Sequence, residues 1–222
     1  MCIRDRRISS PIEFGQLFLG GVVGDFMRRY PAIQVEVELT TRMVDPVEEG
    51  VDIVIHRGRP QDSSLVARSM MHSPRQLFAS PAYLAEHGAP QKPEDLANHR
   101  CIHTLMDDGR KWHFLEPAVS VAINPVLTIN NITFAREAAL AGAGVINVPA
   151  FIAEAQVAEG TLCRVLEHCV LPSTELYALY PSRRFQAMKV KAFIDYVIEQ
   201  LRERLNVGVE QDEGPLVTLP PT

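Results

Sequence analysis

Two patterns lying close together constrain this chain most. Residues 34–39 read QVEVEL, with Val35, Val37 and Leu39 on one side and Gln34, Glu36 and Glu38 on the other, the alternation of a half-buried strand. Residues 51–55 read VDIVI, which predicts a buried strand, and residues 45–50 form a short helix or turn before it. A strand, a helical crossover and a second strand make a parallel βαβ unit, and this puts the chain in the α/β class. Upstream, Ser10-Pro11-Ile12-Glu13 sets serine, proline and glutamate where a helix favours its N-cap, first and third positions. The helix predicted there runs to about Tyr30, where Pro31 stops it. Gly20, Gly21 and Gly24 lie inside it, each costing about 1 kcal/mol relative to alanine, so packing must hold it.

Further strands are predicted over residues 76–79, 101–105, 111–115, 119–123, 126–129, 145–148 and 175–180. Residues 8–10 are too few to be read as a strand from periodicity. Prolines open short helices at 81–87 and 93–98. Asn131 caps a helix over 133–141 that Gly142 ends, and Gly160 closes another over 152–159. The last helix, about 186–205, carries Val190, Phe193, Ile194, Val197 and Leu201 on one stripe. Residues 206–222 hold glycine, proline and acidic residues without a period and read as a disordered tail. One economical architecture is two α/β lobes, the chain passing out near residue 79 and back near residue 181, with the last helix on the first lobe.

A chain of 222 residues buries a real core, removing roughly 70% of its unfolded surface. Its net charge of −5 argues against gripping a phosphate backbone unaided. Cysteines at 2, 101, 163 and 169 form no CxxC, so a reducing compartment is the simpler reading. The first residues lack the apolar core of a signal peptide, and no apolar stretch reaches the roughly 20 residues a membrane helix needs. A cytoplasmic protein with no membrane contact is expected.

The turn at Ser9 and Ser10 is the best candidate site. A helix N-terminus presents free N–H groups and partial positive charge, which suit a carboxylate; the plainer alternative is that Ser10 only caps its own helix. His99, Cys101 and His103 alternate on one strand, but a zinc site wants a fourth ligand and no paired motif supplies it, which favours a structural role. Cys163 and Cys169 read as inert thiols rather than a redox switch. Gly142-Ala143-Gly144 follows a helix and precedes a strand, the reverse of a dinucleotide fingerprint. There is no GxSxG, HExxH or P-loop, and no spacing pairs a nucleophile with a base. No enzyme, cofactor or metal is expected.

Several phrases resemble the regulatory domain of LysR-type bacterial transcriptional regulators. They include Ile8-Ser9-Ser10-Pro11, Phe26-Met27-Arg28-Arg29-Tyr30-Pro31, the run Glu49 through Gly58 (EGVDIVIHRG), Asp62-Ser63-Ser64-Leu65, Ala79-Ser80-Pro81-Ala82-Tyr83-Leu84, Pro93-Glu94-Asp95-Leu96, Ala139-Leu140-Ala141-Gly142-Ala143-Gly144-Val145 and Gly160-Thr161-Leu162. In this order they cover residues 8 to about 205. The resemblance implies a periplasmic-binding-protein-like fold (type II), two α/β lobes joined by two crossing strands. Lobe I would be residues 8–78 with 182–205 and lobe II residues 79–181, with 1–7 an extension outside the family pattern. It implies a small effector, an organic acid on the reasoning above, in the inter-lobe cleft. Ser9, Ser10, Thr40 and Thr41 would line one side of that cleft, and Asn130, Asn131, Val148, Pro149 and Phe151 the other. Arg57, just past a buried strand, can reach the cleft mouth and pair a carboxylate, or equally make a surface or inter-lobe salt bridge. It also implies a homodimer or tetramer that meets DNA only through a helix-turn-helix that this chain lacks. A transport-type solute-binding protein of the same fold is the alternative.

Overall fold

The computed structural model describes residues 6–60, 65–105, 109–181 and 184–205, the last stretch with side chains from 190 to 204. The tail and the first five residues lie outside these. β1 (Arg6–Ser10) leads into α1 (Ile12–Phe14), a π-helical stretch (Gly15–Leu19) and α2 (Gly20–Arg29). β2 (Val35–Leu39), β3 (Ile53–Arg57) and β4 (Leu65–Ser73) follow. Next come β5 (Arg75–Ala79), α3 (Pro81–His87), a 3-10 turn (Pro93–Asn98), β6 (Cys101–Thr104), β7 (Lys111–Phe114), β8 (Val119–Ala122) and β9 (Pro125–Ile129). α4 (Ile132–Leu140), β10 (Val145–Pro149), a 3-10 turn (Ala150–Ile152), α5 (Glu154–Ala158) and β11 (Cys163–Val165) complete that region. The chain ends on β12 (Thr174–Pro181) and α6 (Arg184–Leu205).

The described residues form two compact units, one of those up to 72 and from 175 on, the other of those from 73 to 174. The chain passes between them at the end of β4 and the start of β12, earlier than the crossings expected near 79 and 181. The first unit is a five-stranded sheet in the order β2-β1-β3-β12-β4. β1 runs parallel to β2 and β3, while β12 runs antiparallel to β3. Phe26 of α2 meets Phe193 of α6 edge-on at 5.0 Å between ring centroids, and Val190, Ile194, Val197 and Leu201 are buried on the stripe that the sequence predicts.

The second unit is a sheet in the order β11-β5-β10-β6-β9, with β7 and β8 as a separate hairpin. β6 is parallel to β10 and β9; β5 is antiparallel to β10 and β11. Side chains alternate across this sheet into two cores. Leu77, Cys101 and Val145 join Trp112, Tyr83 and Leu96 in one, while their neighbours Phe78, Ile102 and Ile146 join Ile132, Ala135 and Ile152 in the other. Near-continuous apolar strands are what a sheet covered on both faces requires.

Several expectations need correction. Residues 6 and 7 belong to β1, not to an extension, because Arg6 and Arg7 pair with Val35 and Glu36. Ser10 does not cap the first helix: Pro11 stands at the N-cap, and the Ser10 hydroxyl donates to the Pro11 carbonyl at 3.1 Å. β2 is an edge strand, so the predicted inward face carries Val37 and Leu39 at 38% exposure each. No sequence pattern marks β4. Its sequence, LVARSMMHS, has no period of two, and its place beside β12 comes from tertiary pairing.

Candidate functional site

Parallel strands line up their carboxyl ends, and the loops leaving those ends share one edge of a sheet, where ligands of open α/β folds bind. In the first unit that edge gathers Ser9 and Ser10 at the end of β1, Thr40 and Thr41 after β2, and Arg57 at the end of β3. The Thr40 amide donates to the Ser10 carbonyl at 3.0 Å, carrying the pairing of β1 and β2 one residue past β2. Depth differs among these groups. Ser9 and Ser10 are buried, Thr40 is part-exposed, and Thr41 is exposed. A molecule arriving at this edge therefore meets the threonines and Arg57 first.

Arg57 has a carboxylate beside it that the sequence reading missed. Its Nη2 lies 3.8 Å from Oε2 of Glu13 in α1; the Arg57 side chain is 33% exposed and the Glu13 side chain 2%. In the sequence Glu13 has only the place of a helix-start residue. No local pattern announces the pair, since the two are 44 positions apart and meet because β1 and β3 are adjacent. His56, the residue before, points to the other face with its ladder partner Tyr177, while Arg57 sits opposite Leu176. Burial, then the neighbouring Arg57 charge, holds the His56 imidazole below its ordinary range. Glu175, on the face of His56 and Tyr177, accepts a 2.9 Å hydrogen bond from the Tyr177 hydroxyl and stands 3.8 Å from Nδ1 of His72.

In the second unit the carboxyl ends of β6, β9 and β10 gather Thr104, then Asn130 and Asn131, then Val148 and Pro149 with Phe151 beyond. Asn131 is the N-cap of α4, its Oδ1 accepting from the Phe134 amide at 2.8 Å, as the sequence predicts. Asn130 is exposed, Phe151 part-exposed, and Val148 and Pro149 buried. Thr104, fully buried at the same edge, was not singled out from the sequence. Arg75 faces Pro149 in the ladder, but its guanidinium is engaged by Asn147, with 3.0 Å to Oδ1 and 2.7 Å to the carbonyl oxygen. The sequence-nominated residues thus fall into two sets, one on each unit's carboxyl edge.

Of the other candidates, His99 and Cys101 have structural partners. His99 hydrogen-bonds the Tyr83 hydroxyl through Nδ1 at 3.1 Å. Cys101 is fully buried, with its thiol pushed up to about 12 by burial, so it stays protonated and unreactive. Cys163 and Cys169 are free thiols, the second buried. Among the described residues no group of three or more His, Cys, Asp or Glu is placed to hold a metal ion. Among the same residues no helix is long and apolar enough to cross a membrane.

Two α/β units, each with parallel strands ending on one edge, define a ligand-binding module of the periplasmic-binding-protein-like kind. Residues 6–202 match the LysR substrate binding domain, and the chain belongs to that family. It is 34% identical over 202 residues to the HTH-type transcriptional regulator PtxR of Pseudomonas aeruginosa, covering 90% of this chain and 64% of PtxR. It is 30% identical over 190 residues to the regulator CrgA of Neisseria meningitidis, covering 84% of this chain and 64% of CrgA. The chain thus spans somewhat less than two thirds of these relatives' length. Among solved structures, the CrgA regulatory domain superposes with a TM-score of 0.80 at 28% identity, covering 90% of this chain and all of that one.

Proposed function

We propose that this chain is the effector-sensing domain of a LysR-type bacterial transcriptional regulator. It binds a small organic acid at the carboxyl ends of its parallel strands, and this biases DNA binding by a helix-turn-helix on another part of the protein. The observation that carries this reading is the gathering of hydroxyls and one part-exposed guanidinium on the carboxyl edge of the first unit, with amides on that of the second. Hydroxyls, amides and a cation are the donors a carboxylate needs. The sensing role follows that of the relatives, which are transcriptional regulators. Such a domain works in the cytoplasm, performs no catalysis, and assembles as a homodimer or tetramer.

A ligand that binds one arrangement of the domain better than another shifts the balance between them, and no chemistry is required of the protein. The test is thermal-shift screening of aliphatic and aromatic carboxylates, followed by titration of each hit against Thr40→Glu. Thr40 is part-exposed, so the substitution leaves the core untouched and sets a negative charge beside the anion. Affinity should fall about tenfold or more. Unchanged affinity would place the acid elsewhere.

A further inference from the structure

Thr133 carries a hydroxyl that the fold leaves uncommitted. Its Oγ1 is buried, and among the described residues nothing hydrogen-bonds to it. A buried hydroxyl without a partner costs stability, so its presence calls for a reason. A helical threonine commonly turns its hydroxyl back to a carbonyl three or four residues earlier. For Thr133 those carbonyls belong to Asn130 and Ile129, and that of Ile129 already accepts from the Leu105 amide at 2.9 Å.

Thr133 is the second residue of α4, two past the Asn131 cap, where a helix presents N–H groups and partial positive charge. Helical side chains lean toward the N-terminus, here the end that follows the carboxyl end of β9. Three residues on, along the same flank, Arg136 donates from Nη1 to the Ile152 carbonyl at 3.0 Å. That flank of α4 therefore faces the turn that follows Pro149. The Asn131 Oδ1 is taken by the Phe134 amide, whereas the Thr133 hydroxyl has no such bond. The residue is part-exposed, and rotation about its Cα–Cβ bond gives the hydroxyl a second staggered position from which to meet an arriving oxygen.

We propose that Thr133 is a specificity-determining residue on the second unit's edge, its hydroxyl donating to a carboxylate oxygen of the bound acid. The inference rests on the reading of these edges as a carboxylate site. Binding satisfies a donor that the unliganded fold leaves unsatisfied, so the new bond adds affinity without breaking one inside the protein. A hydrogen bond to an ionised oxygen is stronger than one to a neutral oxygen, which favours carboxylates over their esters.

In the experiment benzoate, phthalate and succinate are titrated by calorimetry at neutral pH into the parent protein, Thr133→Val and Thr133→Ser. The three proteins are also melted without ligand. Thr133→Val nearly keeps the side chain's shape and removes the hydroxyl. It should melt no lower than the parent, because only an unpartnered hydroxyl is lost, and should bind the acids about tenfold or more weakly. Thr133→Ser keeps the hydroxyl and should bind as the parent does. Equal affinity of the parent and Thr133→Val would overturn the inference while leaving the carboxylate site standing, since Thr40→Glu reads that site separately. A Thr133→Val protein that melts far below the parent, or a Thr133→Ser protein that loses affinity alongside it, would also overturn it, because the threonine would then serve the fold by its packing. If none of the three acids binds the parent, the carboxylate reading falls and this inference with it.

Discussion

His56 and Arg57 take the last two positions of β3 and point to opposite faces, and this sets their chemistry apart. Arg57 stands beside Glu13, with Nη2 3.8 Å from Oε2. The His56 imidazole, part-buried and next to a cation, is held below its ordinary 6.5. His99 is shifted the same way, chiefly by burial. A histidine with a lowered folded value takes up its proton more readily when unfolded, so stability is full above 6.5 and declines as pH drops below it, until the folded value is passed. Thermal melts between about pH 7.5 and 5 should show this decline, and His56→Gln should make it shallower. A slope that does not change in the variant would remove His56 from the account. At this scale the sequence was legible for Asn131, whose cap depends on residues three apart. It was not for Ser10, which has the composition of a cap while Pro11 takes the position, nor for Glu13, whose partner comes from a neighbouring strand.

Elements with their own periodicity were readable; those made by pairing were not. α6 shows its buried stripe in the sequence and keeps it in the fold. β1 and β4 carry no such signal, one being short and the other irregular, and each exists because neighbouring strands accept it. Alternation located β2 to within one residue, but its edge position was not visible in it. Gly144 shows what a connection demands. It lies between α4 and β10 at φ +154°, and an added Cβ would fall 2.3 Å from the Arg100 carbonyl oxygen, a backbone atom that cannot swing away. Gly144→Ala should therefore destabilise the protein by about 3 kcal/mol or more, seen as an earlier urea midpoint with unchanged slope. A loss below about 1 kcal/mol would mean that the β6–β10 pairing yields easily.

For the whole molecule, the apolar side chains left in water are informative. Leu17 precedes α2 in the π-helical stretch, Met27 lies in α2, and Val37 and Leu39 lie on β2; they are 38–44% exposed on the first unit. We propose that these exposed apolar groups contribute to an association surface, since an edge strand and large apolar side chains left in water both favour pairing. A homodimer formed there should become monomeric on Val37→Arg, with little change in the unfolding of the monomer; light scattering at micromolar concentration reads the difference. An unchanged dimer would move the interface elsewhere. The central claim is that organic acids bind at the carboxyl ends of the parallel strands. The most direct test is backbone-amide NMR of the labelled chain titrated with the carboxylate panel. The account predicts saturable shifts concentrated at Ser10, Thr40, Thr41, Arg57, Asn131 and Phe151. Shifts confined to the opposite ends of these strands, or none with any acid, would contradict it.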